Sequence, residues 1–268
     1  MCDRHTRYPC RPMEYRQTRA ATGAAALAAL SARAINVLEC LYTLLWTAGW
    51  ISVALIRQAV TGRRDIALDM ARTHWAPGLV RPAGGLTVEG ADAIDWSRPY
   101  LVVANHASVI DICAVFMAVP VPLRFLLKSE MRRVPFLAAY ARATGMLFIS
   151  RDDPRAGPVL RRQIAALLGQ GRSLCLFPEG TRSRDGRMGT FKSGAFQSAI
   201  DAGVDVLPIA LHGTGEVLPP TGFFRVRPGP MRAIVGAPIR VAGQTGAAGR
   251  QAVAREAQDA VAAMLGRR

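Results

Sequence analysis

Lysine is almost missing from this chain of 268 residues: its 34 basic side chains are arginines except for Lys128 and Lys192. We interpret this bias as the mark of a GC-rich genome. An ammonium and a guanidinium are not interchangeable in a tight site, so the two retained lysines are candidate functional residues. The formal net charge of +15 predicts anionic partners, and nucleic acid and anionic lipid headgroups both qualify.

Cysteine and histidine are also scarce. The five cysteines are scattered, odd in number and without Cys-x-x-Cys spacing, which disfavours a disulfide framework and a zinc site and suits a reducing compartment. With four histidines and no Gly-x4-Gly-Lys loop, we expect neither a metal nor a cofactor. The absence of a Gly-x-Ser-x-Gly elbow disfavours a serine hydrolase built on Ser108 and His106.

The N-terminal part of the chain divides into a polar tail and a long apolar run. Residues 1–33 are Arg-rich and then Ala-rich, so we expect them to be disordered or loosely helical and not a signal peptide. Residues 35–56 would form a helix of about 33 Å, roughly the thickness of the hydrocarbon core of a bilayer. A spanning helix, an embedded helix that does not cross and a buried core helix all stay open, because Trp46 and Trp50 lie mid-segment.

The pattern beyond Pro77 predicts an α/β fold with a mostly parallel sheet flanked by helices, preceded by a membrane-associated helix or helix pair. The predicted domains are a basic tail over residues 1–33, a membrane-associated helical segment over 34–76 and an α/β domain over 77–268. The predicted strands are 86–89, 100–104, 124–127, 146–149, 173–177 and 206–211, with two further candidates at 223–226 and 233–235. The predicted helices are 109–119, 135–143, 158–169, 193–202 and 251–265.

A first motif, Asn-His-Ala-Ser-Val-Ile-Asp over residues 105–111, directly follows one of these apolar runs. Positions five apart differ by about 140° on a helix, so His106 must lie in the loop before the helix if it is to meet Asp111. We expect Ser108 to be the N-cap, with Asp111 in the first turn, where negative charge is favoured. Asp111 either only caps this helix or also fixes the tautomer of His106 as a general base.

A second motif, Phe-Pro-Glu-Gly-Thr-Arg-Ser over residues 177–183, closes another strand-like run, so parallel strands would bring both motifs to one edge of the sheet. Gly180 permits a tight turn, and the neighbouring N–H groups and Arg182 suit a phosphate. We expect Glu179 to orient Arg182 or a bound hydroxyl. Lys192 precedes a further predicted helix and places a cation where an anion could dock.

These motifs resemble those of the glycerophospholipid acyltransferases, specifically the 1-acyl-sn-glycerol-3-phosphate acyltransferase family. The first motif matches the His-x4-Asp block of that family, and the second matches its Phe-Pro-Glu-Gly-Thr-Arg-Ser block letter for letter. Residues 128–151 are similar to the second block of the family, and residues 206–209 are similar to its fourth. The resemblance covers roughly residues 86–241.

The resemblance implies transfer of an acyl chain from acyl-CoA or acyl-carrier protein to the sn-2 hydroxyl of 1-acyl-sn-glycerol-3-phosphate, without a cofactor or an acyl-enzyme. His106 would be the general base, Asp111 would orient it, and Lys128 would bind the oxyanion or a phosphate. The residues assigned to the acceptor phosphate are Arg151, Glu179, Gly180, Thr181 and Arg182, with Asn105, Ser108 and Lys192 as secondary candidates.

Two alternatives stay open. Met131 and Ala138 stand where the family usually has Leu and Gly, which leaves room for another lysolipid acceptor, for example an aminoacyl lysolipid. A non-catalytic basic module that binds membranes or nucleic acid would explain the charge alone. We expect a thioester donor, a lysolipid acceptor and an anionic membrane surface as partners, and not nucleic acid. The expected location is a bacterial inner membrane with the site on the cytoplasmic side.

Overall fold

The computed structural model describes residues 14–63, 65–150, 156–221 and 224–266, with side chains from residue 31 onward. Within these residues the helices are α1 (Glu14–Thr61), α2 (Ile66–Met70), α3 (Ala76–Val80), α4 (Asp111–Ala118), α5 (Pro135–Thr144), α6 (Ala156–Gly169), α7 (Phe196–Ala202), α8 (Thr214–Val217) and α9 (Gly246–Leu265). The strands are β1 (Leu86–Glu89), β2 (Leu101–Ala104), β3 (Leu123–Lys128), β4 (Leu147–Ile149), β5 (Ser173–Leu176), β6 (Val206–His212) and β7 (Met231–Val235). A π-helix, Ala71–Trp75, joins α2 to α3.

The strands form one sheet in the order β1-β7-β6-β2-β5-β3-β4. The strands from β6 to β4 pair in parallel, whereas β7 runs antiparallel to β6 and parallel to β1. The predicted fold class, a mostly parallel sheet with flanking helices, is therefore confirmed. Since β2 and β5 are parallel neighbours, with Leu101 opposite Leu174, the two motif loops leave the same edge of the sheet.

The sheet is buried on both faces, which explains why its central strands are apolar throughout. Along β2, Val102 and Ala104 belong to a cluster shared with α4 and the N-terminal helices, whereas Leu101 and Val103 belong to a cluster shared with α6, α7 and α9. Successive side chains of a strand point to opposite faces, so the two clusters lie on opposite sides of the sheet. The edge that carries both motifs is thus reachable from two apolar layers.

Helix α1 starts earlier than the sequence analysis placed it. Residues 14–33, expected to be disordered or loosely helical, form a continuous helix with the apolar run, since alanine has the highest helix propensity. The expected boundary at residue 33 therefore coincides with no helix end. The segment Ser31–Thr61 is long and apolar enough to cross a membrane, and only 11% of its most apolar window is buried.

The π-helix and α3 pack against the middle of α1 through side-chain hydrogen bonds. The Trp46 indole N–H donates to the carbonyl of Trp75 at 3.1 Å, and the Trp75 indole N–H donates to the Thr47 hydroxyl at 3.0 Å. The Tyr42 hydroxyl donates to the carbonyl of Gly78, and a Cβ at Gly78 would lie 2.2 Å from the Trp46 ring. The mid-segment tryptophan is thus explained by contact with a second helix.

The strand expected over residues 223–226 is not found in the described residues of that segment. Phe223 lies outside the described residues, and residues 224–226 are irregular. The backbone N–H of Val226 donates instead to the Glu39 carboxylate at 3.0 Å. The Glu39 side chain of α1 thus accepts the N–H that a neighbouring strand would accept in a sheet. This bond holds residues 224–226 against α1.

Arg124, near the start of β3, anchors the start of α2 to the sheet. Its side chain is 3% exposed, with Nη2 2.5 Å from Asp65 Oδ1 and Nε 2.9 Å from the Thr144 carbonyl. We expect Arg124→Met, which keeps the apolar stem and removes both bonds, to lower the free energy of unfolding by about 2 kcal/mol, since Asp65 is half exposed and regains water.

Thermal unfolding in detergent measures this difference. Arg142→Met removes an exposed arginine of α5 and serves as the control. Equal changes in the two variants would show that the buried hydrogen bonds of Arg124 contribute nothing to the free energy of unfolding.

Candidate active site

The Asp111 carboxylate organises the loop between β2 and α4. Its side chain is fully buried, and Oδ2 accepts hydrogen bonds from His106 Nδ1 and from the backbone N–H groups of Ala107 and Ser108, each at 2.8 Å. The structure therefore brings His106 and Asp111 together. Because Nδ1 donates to the carboxylate, Nε2 is the ring nitrogen left to accept a proton in the cavity that His106 lines.

The expected N-cap role of Ser108 is wrong. Helix α4 begins at Asp111, and the residue before it is Ile110. The Ser108 hydroxyl donates instead to the carbonyl of Leu218 at 2.6 Å and accepts from the Ile110 N–H at 3.3 Å. Asp111 itself binds the N–H groups that precede the helix, so the serine is free to fix the following turn to the end of α8.

Both main-chain groups of His106 are held by the second motif. Its N–H donates to Glu179 Oε1 at 2.7 Å, and its carbonyl accepts from the Ser183 N–H at 2.7 Å. The imidazole stacks on the Phe177 ring at 4.0 Å between centroids with 12° between planes. The backbone, the ring plane and the Nδ1 hydrogen bond of His106 are all fixed before any substrate binds.

The hydrogen-bond partners of Glu179 differ from those expected from the sequence. It was expected to orient Arg182 or a bound hydroxyl, but its two oxygens accept the backbone N–H groups of His106 and Gly189, each at 2.7 Å. Glu179 has these partners because the two motif loops lie close together in space. The spacing of residues along the chain does not reveal that distance. Glu179 is a buried support of the His106 loop.

Burial raises the pKa of Glu179, and the N–H groups of Gly189 and His106 act against that rise. The folded protein therefore binds this proton more readily than the unfolded chain does. The ionised carboxylate opposes folding once the pH rises through the folded pKa, and its contribution is most favourable below the unfolded pKa. The two hydrogen bonds offset part of this cost, which is consistent with a carboxylate kept for position.

The Gly180 turn presents a cation to the cavity. Gly180 has φ +79°, and its N–H donates to the Phe177 carbonyl at 3.0 Å. The Lys192 ammonium lies above this turn, 3.0 Å from where a Cβ at Gly180 would stand. Thr181 and Arg182 are exposed and line the same cavity. A larger residue at position 180 would displace the ammonium.

Asn105 and Arg151 differ from the other candidates. Asn105 is buried, and its amide group donates to the Leu211 carbonyl at 3.0 Å and accepts from the Leu211 N–H at 2.8 Å, which extends the pairing of β2 with β6. It is a scaffold residue. Arg151 lies outside the described residues.

Lys128 ends β3 and lines the cavity at its rim. Its side chain is half exposed, and Nζ lies 2.7 Å from Glu130 Oε1. The hydrogen bond from Lys128 is the main reason that the pKa of Glu130 is lowered. Glu130 therefore holds the Lys128 ammonium near the cavity through an ion pair that can break.

A cavity of about 1430 Å³ joins these residues. It is larger than the roughly 300–1,000 Å³ of common small-molecule sites. On the side of the N-terminal helices its wall is apolar, formed by Ile51, Ala54, Ala67, Met70, Cys113, Phe116, Phe125, Tyr140 and Met146. Across the described part of the chain, no three His, Cys, Asp or Glu side chains lie together as metal ligands.

The sequence profile of the Acyltransferase family matches residues 85–212. A 1-acyl-sn-glycerol-3-phosphate acyltransferase of Chlamydomonas reinhardtii is 35% identical over 195 residues, which are 71% of this chain and 58% of that protein. The crystal structure of the 1-acyl-sn-glycerophosphate acyltransferase PlsC from Thermotoga maritima superposes with a TM-score of 0.74, at 26% identity, over 88% of this chain and 99% of that one. The chain belongs to the 1-acyl-sn-glycerol-3-phosphate acyltransferase family.

Family membership leaves room for other acceptors. A lyso-ornithine lipid O-acyltransferase of Pseudomonas aeruginosa is 33% identical over 173 residues, which are 64% of this chain and 64% of that protein. The chain thus spans less than two thirds of the length of each of these two relatives, the Chlamydomonas reinhardtii protein and the Pseudomonas aeruginosa protein.

Two features of this acyltransferase-family chain escaped the sequence analysis. Phe177 was read as part of a motif, but its stacking on His106 depends on β2 and β5 being neighbours. Arg161 and Arg250 line the cavity from α6 and α9 and belong to no motif. Only the chain's excess of arginine hinted at them, and that excess is spread over the whole sequence.

Proposed function

We propose that the protein transfers an acyl chain from an acyl thioester to the sn-2 hydroxyl of 1-acyl-sn-glycerol-3-phosphate, giving phosphatidate. One observation carries the proposal: a histidine held by a buried carboxylate at 2.8 Å stands in a cavity with an apolar wall on one side and cations at its rim. The apolar wall suits a hydrocarbon chain, and the cations suit a phosphate. A lysolipid phosphate and a fatty acyl thioester are the two reactants that need both.

His106 Nε2 takes the proton of the acceptor hydroxyl as the oxygen attacks the thioester carbonyl. Asp111, bound to Nδ1, stabilises the imidazolium that results. The tetrahedral intermediate then expels the thiolate, which receives the proton from the imidazolium. An ester bond forms, a thioester bond breaks, and His106 returns to its starting state without an acyl-enzyme.

The acceptor phosphate binds at the turn of the second motif. The glycerol linker is short, so the phosphate must lie close to the hydroxyl that His106 deprotonates. Arg182, Thr181 and the ammonium of Lys192 above Gly180 border the cavity next to His106. Arg151 is a further candidate. Glu179 serves this site indirectly, through the backbone of His106.

The lipid reactants reach the cavity from a membrane. Residues of α1, including Ile51 and Ala54, form part of the apolar wall, while Leu38, Leu45 and Ile56 of the same helix are exposed. A helix that is apolar on both sides suits a bilayer. We place the protein at an anionic membrane, the bacterial inner membrane, with the site on the cytoplasmic side.

Replacing Lys128 tests the proposed oxyanion or phosphate contact. We expect Lys128→Ala to lower kcat/KM about 10²- to 10³-fold, the usual cost of losing one preorganised donor. Steady-state thiol release measures it. Glu130→Gln removes the partner and leaves the ammonium in place, so it should retain activity. Equal losses in both variants would mean that the ion pair supports the rim and that Lys128 has no catalytic contact.

A second acceptor class is supported by one comparison and one residue. The Pseudomonas aeruginosa relative is named for a lyso-ornithine lipid, and Met131, which departs from the family pattern, lines the cavity. Such an acceptor would keep the chemistry of His106 and change the headgroup contacts.

Thiol release from acyl-CoA and from acyl-carrier protein, with lysophosphatidate and other lysolipids offered in parallel micelles, tests the proposed function. Release that depends on lysophosphatidate supports it. Release only with an aminoacyl lysolipid would move the acceptor and keep the mechanism. No release with any acceptor would overturn the enzymatic proposal.

A further inference from the structure

The cavity does not end at His106; it continues to the opposite face of the sheet. Leu160, Ile164 and Leu176 line this continuation, and all three belong to the apolar cluster on the side of α6, α7 and α9. The wall formed by Met70 and Phe116 belongs to the other cluster. We call the first part the α4 arm and the continuation the α6 arm. They meet at the sheet edge that carries both motifs.

The α6 arm carries positive charge. Arg161 of α6 and Arg250 of α9 are half-buried in its wall. Among the described residues that line the whole cavity the sole acid is Glu39 of α1, which lies on the α4 side. No ion pair of Arg161 or Arg250 is found within the described part of the chain.

Arg250 gives the clearest indication that the α6 arm binds an anion. Its Nε is buried and has no hydrogen-bond partner among the described residues. A buried guanidinium N–H without an acceptor opposes folding, and such groups in native proteins commonly meet a ligand or an ordered water. Arginine is also the side chain best suited to a phosphate, because it can donate two parallel hydrogen bonds.

The chemistry of the two reactants tells which phosphate fits. The acceptor phosphate is tied by a short linker to the hydroxyl at His106 and so must stay beside that residue. A thioester donor with its acyl chain in the α4 arm has its carbonyl at His106, and the pantetheine that follows the sulfur must leave in another direction. The α6 arm offers that direction, and the long pantetheine ends in a phosphate.

We propose that Arg161 and Arg250 bind the phosphate that ends the pantetheine arm of the thioester donor. This phosphate is common to CoA and to the prosthetic group of acyl-carrier protein, so the site recognises a group that both donors share. The inference rests on the proposed acyl transfer for the identity of its ligand. It assigns to α6 and α9 a donor-binding role that no motif of the sequence carries.

The experiment compares acyl-pantetheine with acyl-4′-phosphopantetheine, which differ by the phosphate alone. For the unchanged protein we expect the phosphate to raise kcat/KM about 10- to 100-fold, as for hydrogen bonds to a charged group. In Arg161→Gln/Arg250→Gln this advantage should vanish, while turnover of acyl-pantetheine and the KM for the lysolipid stay unchanged. Arg162→Gln/Arg255→Gln removes exposed arginines of the same two helices and should keep the advantage.

Three results would overturn the inference. An equal loss with acyl-pantetheine would mean that the arginines support structure only. A raised KM for the lysolipid would assign them to the acceptor. A loss with acyl-CoA but not with acyl-4′-phosphopantetheine or acyl-carrier protein would assign them to the nucleotide end of CoA.

Binding without turnover separates this inference from the proposed function. The S-alkyl thioethers of pantetheine and of 4′-phosphopantetheine cannot react, and their Kd values can be measured by calorimetry on the full chain in detergent. A phosphate-dependent gain that the Arg161→Gln/Arg250→Gln variant loses supports the site even if no acyl transfer is seen. A gain that the variant keeps overturns the site even in an active enzyme.

Discussion

We expect His106→Ala to lower kcat about 10³- to 10⁴-fold, the upper part of the range for a lost general base. Alanine removes Nε2, the atom that accepts the hydroxyl proton. The loop itself should survive, because Glu179 and Ser183 bind the main chain of His106 and not its side chain. The loss should therefore appear in kcat, measured by thiol release at saturating donor and acceptor, with little change in Tm.

His212→Ala is the matched control. His212 is another of the four histidines, ends β6 near the same edge of the sheet and does not line the cavity. Burial, followed by the nearby charge of Arg232, lowers its pKa, which favours the neutral imidazole. Turnover in His106→Ala close to that of His212→Ala would remove the general base from the mechanism.

The elements around the motifs could be predicted because their signals are local. Residues 101–104 and 173–176 are short apolar runs that end in polar loops, and the structure has strands there. The parallel-sheet rule predicts that both loops leave one edge of the sheet, whereas the direct pairing of β2 with β5 is seen only in the structure. The pattern was therefore sufficient to place both motifs at one edge, and the structure makes them neighbours.

The partners of individual side chains could not be predicted, because they depend on distances between segments far apart in the chain. Glu179 reaches His106 across 73 positions of sequence, and Val226 meets Glu39 across 187. Ser108 fits the N-cap pattern by local sequence, yet α4 begins only after Ile110, and the Ser108 hydroxyl donates to the carbonyl of Leu218, 110 positions away. Tertiary contacts overruled local preference in each case.

The second large effect is expected at Asp111, and two substitutions separate its two tasks. Asp111→Ala leaves His106 Nδ1 and the N–H groups of Ala107 and Ser108 without their common acceptor. The imidazole then loses its fixed tautomer and its counter-charge together. We expect kcat to fall about 10³- to 10⁴-fold, as in triads deprived of their carboxylate, together with a lower Tm.

Asp111→Asn should cost less, about 10²-fold in kcat, because its amide oxygen can replace Oδ2. The N–H groups of Ala107 and Ser108 both point at that position, so they select the oxygen and keep the proton on His106 Nδ1. Orientation then survives, the negative charge is lost, and the amide NH2 takes the buried position of Oδ1, which has no hydrogen-bond partner among the described residues. Comparing kcat of the two variants measures orientation apart from charge. Equal losses would mean that the charge alone accounts for the role of Asp111, and that its three hydrogen bonds matter only for folding.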